Sequence, residues 1–128
     1  MPVDLNMNIL IVDDDKSMVQ IVASLLRELG FRNISQASDG PTALTKLRER
    51  SVSLIISDRN MRPMTGLQLL QQVRADETLK DLPFIMITAE SSVKIVRAAG
   101  DAAVSNYLLK PFNAKLLKQR LVAVLGVF

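Results

Sequence analysis

The 128-residue sequence contains no cysteine and no histidine, and its aromatic residues are one tyrosine and four phenylalanines. Without cysteine there is no disulfide framework, and without either residue the nitrogen and sulfur ligands that select zinc are missing. Five aromatic side chains and no run of basic residues leave a nucleic-acid surface without its stacking and Arg-rich elements. No apolar stretch approaches the roughly 20 residues of a bilayer-spanning helix, and residues 1–7 lack the basic-then-apolar pattern of a secretion signal. A cytoplasmic protein with neither a nucleic-acid nor a membrane partner is expected. Five glycines and five prolines leave no room for a low-complexity linker, so residues 1–128 are expected to form one domain.

What is present is an ordinary globular balance, 48% hydrophobic and 23% charged, with an uneven distribution of charge. Residues 1–90 carry ten Lys and Arg against twelve Asp and Glu, whereas residues 91–128 carry six against one. The basic end consists of Lys94, Arg97, Lys110, Lys115, Lys118 and Arg120. It suits an acidic protein partner, or simply a solvated helix face.

Two apolar runs end in acids. Asn8 to Val12 is followed by Asp13-Asp14-Asp15, and the run from Val52 to Ser57 is followed by Asp58. Both runs are short and rich in β-branched residues on consecutive positions, as strands buried on both faces of a parallel sheet should be. If neighbouring parallel strands end together, the acids meet at the carboxyl edge, where open α/β sheets place their ligands. Clustered carboxylates raise one another's pKa unless a cation neutralises them, and an all-oxygen donor set favours a hard ion, Mg²⁺ first. An acidic triplet alone is ordinary helix N-cap chemistry; a second acid at an independent strand end is what turns it into a site.

Strand and helix patterns alternate along the whole chain. Residues 17–29 form a helical stripe of Met18, Ile21, Val22, Leu25, Leu26 and Leu29, stopped by Gly30. A weak strand is expected at 33–37 and a short helix at 41–47 with Ala43, Leu44 and Leu47 inward. After Asp58 come a turn at 62–66 and a helix carrying Leu67, Leu69, Leu70 and Val73. A fourth strand at 83–87, a modest helix at 91–99, a fifth strand at 105–109 and a closing helix at 113–125 complete the pattern. Five βα units in strict alternation predict a doubly wound, five-stranded parallel sheet with five helices.

The set Asp13-Asp14, Asp58, Thr88-Ala89 and Lys110-Pro111-Phe112, each at the end of a predicted strand, resembles the response-regulator receiver domain of two-component signalling, in its single-domain CheY-like type. The resemblance spans about residues 8–125. It implies a flavodoxin-like strand order 2-1-3-4-5, which CheY itself exemplifies among doubly wound folds. It implies that Asp58 accepts a phosphoryl group from a phosphohistidine on a separate histidine kinase or phosphotransfer protein, since this chain has no histidine of its own. Asp14 and Asp58 then resemble direct Mg²⁺ ligands, with Asp13 acting through water and the backbone carbonyl of Asn60 completing the set. Lys110 and Thr88 take the roles of cation and hydroxyl donor to the phosphoryl oxygens. The Lys110-Pro111 bond resembles the family's cis peptide. Thr88, Ala89 and Tyr107 resemble its switch, which would alter a surface made by the helix at 91–99, the strand at 105–109 and the helix at 113–125. The output partner at that surface would be a flagellar motor switch or a relay protein, and a monomer is expected. Asn60 and Glu90 stand at the two positions that tune hydrolysis in the family, and their chemotaxis-like identity implies a short-lived phosphoryl group.

Several positions depart from the family pattern. Arg59 and Arg62 add positive charge beside the acceptor. Asp15 adds an acid that either strengthens metal binding or caps the following helix. Ala103 stands where a glycine is usual, and Gly100 falls at the expected end of the preceding helix, where glycine would stop it. Three classes of function follow. The first is a stand-alone phosphorylatable regulator, acting in chemotaxis or as a phosphorelay shuttle or phosphate sink. It would not be an enzyme beyond its own phosphorylation and dephosphorylation, and no DNA-binding output domain is expected after Leu125. The second, a haloacid-dehalogenase-type phosphotransferase, needs an acid two residues after the nucleophile, where Asn60 stands. The third is a metal-independent interaction domain, against which the acidic pocket argues.

Overall fold

The computed structural model describes residues 3–89 and 104–128. Among these, β1 (Asn8–Val12), β2 (Asn33–Ala37), β3 (Leu54–Asp58), β4 (Phe84–Ala89) and β5 (Asn106–Lys110) form one parallel sheet in the order β2-β1-β3-β4-β5. The helices are α1 (Lys16–Glu28), α2 (Gly40–Glu49), α3 (Gly66–Ala75) and α4 (Ala114–Leu125). The expected doubly wound, flavodoxin-like topology is therefore found, and its strands fall within a residue or two of the expected bounds. The helix expected at 91–99 lies outside the described residues, as do Glu90, Lys94, Arg97, Gly100 and Ala103.

The strand order accounts for the burial of each strand. β1, β3 and β4 are central and almost wholly buried, whereas β2 and β5 lie at the edges and are only partly covered. That is why β2, with Asn33, Ser35 and Gln36, reads weakly in sequence: one of its sides has no neighbour to bury against. Alternate residues of each strand feed two cores. Ile9, Ile11, Ile56, Ile85, Ile87 and Leu108 pack with Val22 and Leu26 of α1 and Leu117 and Leu121 of α4. Leu10, Val12, Ile55, Phe84 and Met86 pack with Ala43, Leu44 and Leu47 of α2 and Leu69, Leu70 and Val73 of α3. The period of two along each strand thus divides one apolar sequence between two helical layers.

The helix boundaries come from side chains. Asp15 caps α1, accepting from the N–H groups of Ser17 (2.9 Å) and Met18 (3.4 Å). Asp39 caps α2 through Thr42 (2.8 Å), and Pro41 occupies its first turn. Thr65 and Gln68 form a reciprocal capping box on α3, and Asn113 caps α4 through Leu116 (2.9 Å). Gly30, at φ 107°, ends α1 in a conformation that side chains resist. One assignment within α1 is corrected. Ile21 is 49% exposed, and the buried stripe is Val19, Val22, Ala23 and Leu26. At 100° per residue Ile21 lies about 150° from the centre of that stripe, on the outer face, and the inward places are taken by Val19 and by Ala23, too small to register as an apolar anchor in sequence.

Candidate functional site

The register brings the acids together. Val12 pairs with Ser57 across β1 and β3, and Asp58 pairs with Ile87 across β3 and β4. Asp13 therefore leaves β1 beside Asp58 at the carboxyl edge of the sheet. Oxygen atoms of Asp13, Asp14 and Asp58 lie within 4.8 Å of one another. Asp13 and Asp58 are 3% and 4% exposed, while Asp14 is open to solvent.

Each carboxylate is held differently. Asp58 Oδ1 pairs with Lys110 Nζ at 3.0 Å, from the last residue of β5. Its Oδ2 accepts from the backbone N–H of Asn60 at 3.2 Å. Asp13 Oδ1 accepts from the Asp15 N–H at 2.9 Å, whereas its buried Oδ2 has no partner. Burial is the main reason that the Asp13 pKa rises from 3.8 to about 6; the Asp58 and Asp14 charges add to the rise, and the Asp15 N–H and the Lys110 ammonium oppose it. A buried acceptor without a donor, on one of three carboxylates that lie this close together, fits a hard divalent cation. Every side-chain donor in the cluster is oxygen.

The structure also places the remaining expected residues. Thr88 is 1% exposed at the end of β4, and its hydroxyl has a marginal 3.5 Å contact to the Ala89 carbonyl. Tyr107 pairs with Met86, and Thr88 is the next residue of β4 on the same face of the sheet as Met86. Tyr107 packs against the core on the α2 and α3 side. Ala89, exposed, lies opposite Lys110. The Lys110-Pro111 peptide is cis, and so is Arg62-Pro63. Asp15, considered above as a metal ligand or a cap, serves as the α1 cap. The basic end does not present one uniform face: Lys110 pairs with Asp58, and Lys118 lies over the Phe128 ring, 5.0 Å from its centroid.

Sequence reasoning missed the residues that support the Asp58 backbone. Ser57 is fully buried and its hydroxyl donates to the Asp58 carbonyl at 3.0 Å. The Arg59 N–H donates to the Ile87 carbonyl at 3.0 Å, and the Gly66 N–H to the Arg59 carbonyl at 2.8 Å. A Cβ on Gly66 would fall 2.3 Å from the Asp58 carbonyl oxygen and 2.8 Å from the Arg59 Cα, so only glycine permits α3 to start there. The available signal was a glycine at a helix start shortly after a strand-end acid, and it reads first as a turn residue.

The comparisons with known proteins agree with this geometry. The family model for the response regulator receiver domain matches residues 9–122. The chemotaxis protein CheY-3 of Vibrio cholerae is 48% identical over 116 residues, covering 91% of this chain and 89% of that protein. Among solved structures, the chemotaxis response regulator CheY4 of Vibrio cholerae superposes with a TM-score of 0.84 at 36% identity, covering 94% of this chain and 99% of that one. The receiver domain of the sensor histidine kinase PA1611 from Pseudomonas aeruginosa, a structure with a magnesium ion coordinated in its active-site cleft, also gives 0.84, at 26% identity, with 94% and 98% of the two chains covered. An acidic trio beneath a strand-end lysine, on a 2-1-3-4-5 sheet that the receiver-domain model matches from Ile9 to Val122, places this chain in the response regulator receiver domain family, with single-domain chemotaxis regulators among its close relatives.

Proposed function

We propose that the chain is a stand-alone response regulator in which Asp58 accepts a phosphoryl group from a phosphohistidine on a histidine kinase or phosphotransfer protein. The observation that carries this reading is the 3.0 Å pair between Lys110 Nζ and Asp58 Oδ1 inside a cluster of carboxylates at the sheet edge. An Asp58 oxygen attacks phosphorus while the bond from phosphorus to the donor imidazole nitrogen breaks, and that nitrogen keeps the electron pair. The three equatorial oxygens carry spread negative charge, which Lys110 faces as a fixed cation. Asp13, Asp14, Asp58 and the Asn60 carbonyl would hold Mg²⁺, which would supply the remaining positive charge. The magnesium seen in the PA1611 receiver supports that choice of ion.

The same reading assigns a switch. Acyl-phosphate formation adds roughly −1.5 to −2 charges at the edge of β3. Thr88, whose hydroxyl has only a marginal partner, turns toward the new oxygens, and Tyr107 on the same sheet face moves into the space it leaves. The surface that includes β5 and α4 then changes its affinity for an output partner. Asn60 and Glu90 set the lifetime of the phosphoryl group. The chemotaxis relatives favour a motor-type output partner in the cytoplasm over a relay or phosphate-sink role.

Intact-mass spectrometry after incubation with acetyl phosphate and Mg²⁺ tests the chemistry. The native chain should gain the mass of one phosphoryl group and Asp58→Asn none; equal modification of both would end the assignment. Partner capture with and without beryllofluoride then separates motor docking from relay, and binding to the output partner should weaken with salt.

A further inference from the structure

A second concave site adjoins the acidic centre. It is a cleft of about 480 Å³ between α1 and the β2-to-α2 segment, lined by Lys16, Gln20, Gln36, Thr42 and Lys46, with Asp13 among its lining residues. That volume lies within the roughly 300–1,000 Å³ of small-molecule sites. Neither lysine has a carboxylate partner: the ion pairs among the described residues are Lys80–Glu77 and Lys110–Asp58. Lys46 is anchored by donating to the Gln36 carbonyl, which leaves two of its three N–H groups for a ligand. The cleft therefore has two ammonium groups from different helices, two side-chain amides that both donate and accept, and the Asp13 carboxylate in its lining.

We propose that this cleft binds a small phosphorylated polyol. The two ammonium groups take the phosphate, for which lysine acts as a point charge. The amides of Gln20 and Gln36 suit hydroxyl groups, which both donate and accept. Asp13 fixes the orientation: its carboxylate repels the phosphate and accepts from a hydroxyl, so the polyol end points toward the acidic centre and the phosphate end toward the lysines. Binding itself rests on the residues of the cleft alone. A consequence that rests on the phosphoacceptor reading is that the ligand competes with the cation for Asp13 and slows phosphoryl acceptance when Mg²⁺ is limiting.

The test is an amide chemical-shift titration of the full chain, free of divalent cations, with glucose 6-phosphate and glycerol 3-phosphate as probes and with glucose and inorganic phosphate as their parts. Saturable shifts at residues 16–20 and 36–46 are expected, tighter for a sugar phosphate than for either part. Binding should persist in Asp58→Asn. It should weaken about tenfold in Lys16→Gln/Lys46→Gln, given that each exposed ion contact is worth a fraction of a kcal/mol to about one. Lys16→Gln alone, at an exposed position, covers the case in which the double variant folds poorly, and it should show part of the same loss. The proposal is overturned by any of four results: no saturable shift with either probe, inorganic phosphate binding as tightly as the sugar phosphates, variants that bind as well as the native chain, or shifts centred on Asp58 and Lys110 that vanish in Asp58→Asn. Phosphorylation of the lysine variants by acetyl phosphate without ligand should match the native rate, so failure here is distinguishable from failure of the phosphoacceptor reading.

Discussion

Replacing Gly66 by alanine should damage both the fold and the acceptor, and the size of the effect can be worked from distances. The added Cβ would sit 2.3 Å from the Asp58 carbonyl oxygen, while real Cβ contacts essentially never fall below 3.0 Å, so the two must separate by at least about 0.7 Å. The atom in the way is backbone, so no rotamer change relieves it, and the Arg59 Cα at 2.8 Å blocks the sideways escape. Overpacking of this kind costs roughly 1–3 kcal/mol, while alanine in a helix regains up to about 1 kcal/mol over glycine. A net loss of about 1–2 kcal/mol follows, which for a domain of this size lowers Tm by roughly 4 °C per kcal/mol. Displacing the Asp58 peptide by this distance should slow phosphorylation by acetyl phosphate about tenfold or more, since a 1 Å misplacement near a reacting group can cost about 10²-fold. Gly126→Ala is the control. Its φ is 102° and its Cβ would meet nothing within 4 Å, so it should lose roughly 1 kcal/mol through backbone conformation alone and keep the native rate. Urea unfolding and a phosphorylation time course would refute the reasoning if Gly66→Ala matched the native chain in both.

Three further outcomes are expected. Because the Asp13 pKa is raised from 3.8 to about 6, the native state holds its proton more tightly than the unfolded chain; the associated stability is present at low pH and lost as pH rises between those values. Chelated protein should accordingly lose on the order of 2 kcal/mol from pH 4 to 7 through this group, and Asp13→Asn should flatten that slope in urea unfolding measured across pH. Lys110→Gln removes the cation 3.0 Å from Asp58 and should slow phosphoryl acceptance on the order of 10²-fold, by analogy with loss of other charge-stabilising donors, with little change in Tm; a native rate in that variant would exclude the role given to the lysine. Phe128→Ala removes an edge-to-face contact with Phe31, at a centroid distance of 5.2 Å, and the ring beneath Lys118; a loss of about 1–2 kcal/mol by thermal unfolding, with unchanged phosphorylation, is expected.

The parts of this protein that were legible in sequence are those whose physics is local or strictly periodic. Consecutive apolar residues in Ile9 to Val12 and Leu54 to Ile56 are required of central strands, and the acids that follow them cannot be buried among apolar side chains, so strand ends and site residues announce each other. Asp15, weighed from its side-chain chemistry as a helix cap, does cap α1, whereas the caps Asp39, Thr65 and Asn113 became visible only with the helix boundaries. The strand order had to come from resemblance, because periodicity carries no information about which strand lies beside which. Ile21 illustrates the limit of pattern reading: a large apolar residue in helical register with Met18, Leu25 and Leu29 looks like core, whereas the buried face is turned toward Val19 and Ala23. Ser57 and Gly66 were invisible for a different reason. Ser57 bonds the carbonyl of its own neighbour Asp58, and Gly66 meets the same peptide from across a turn; both contacts are between residues whose types, taken singly, suggest only a strand and a loop.

Both ends of the described chain gather at one pole. The Val3 N–H donates to the Val127 carbonyl at 3.4 Å, and the Phe128 ring rests on Phe31, which lies just before β2 at the amino edge of the sheet. The acidic cluster occupies the opposite pole, at the strands' carboxyl ends. A fluorophore, surface linker or fused reporter attached after Phe128 would hang from the far side and leave the approach to Asp58 open. The molecule can be immobilised or labelled by its tail without shielding the face on which a donor must land.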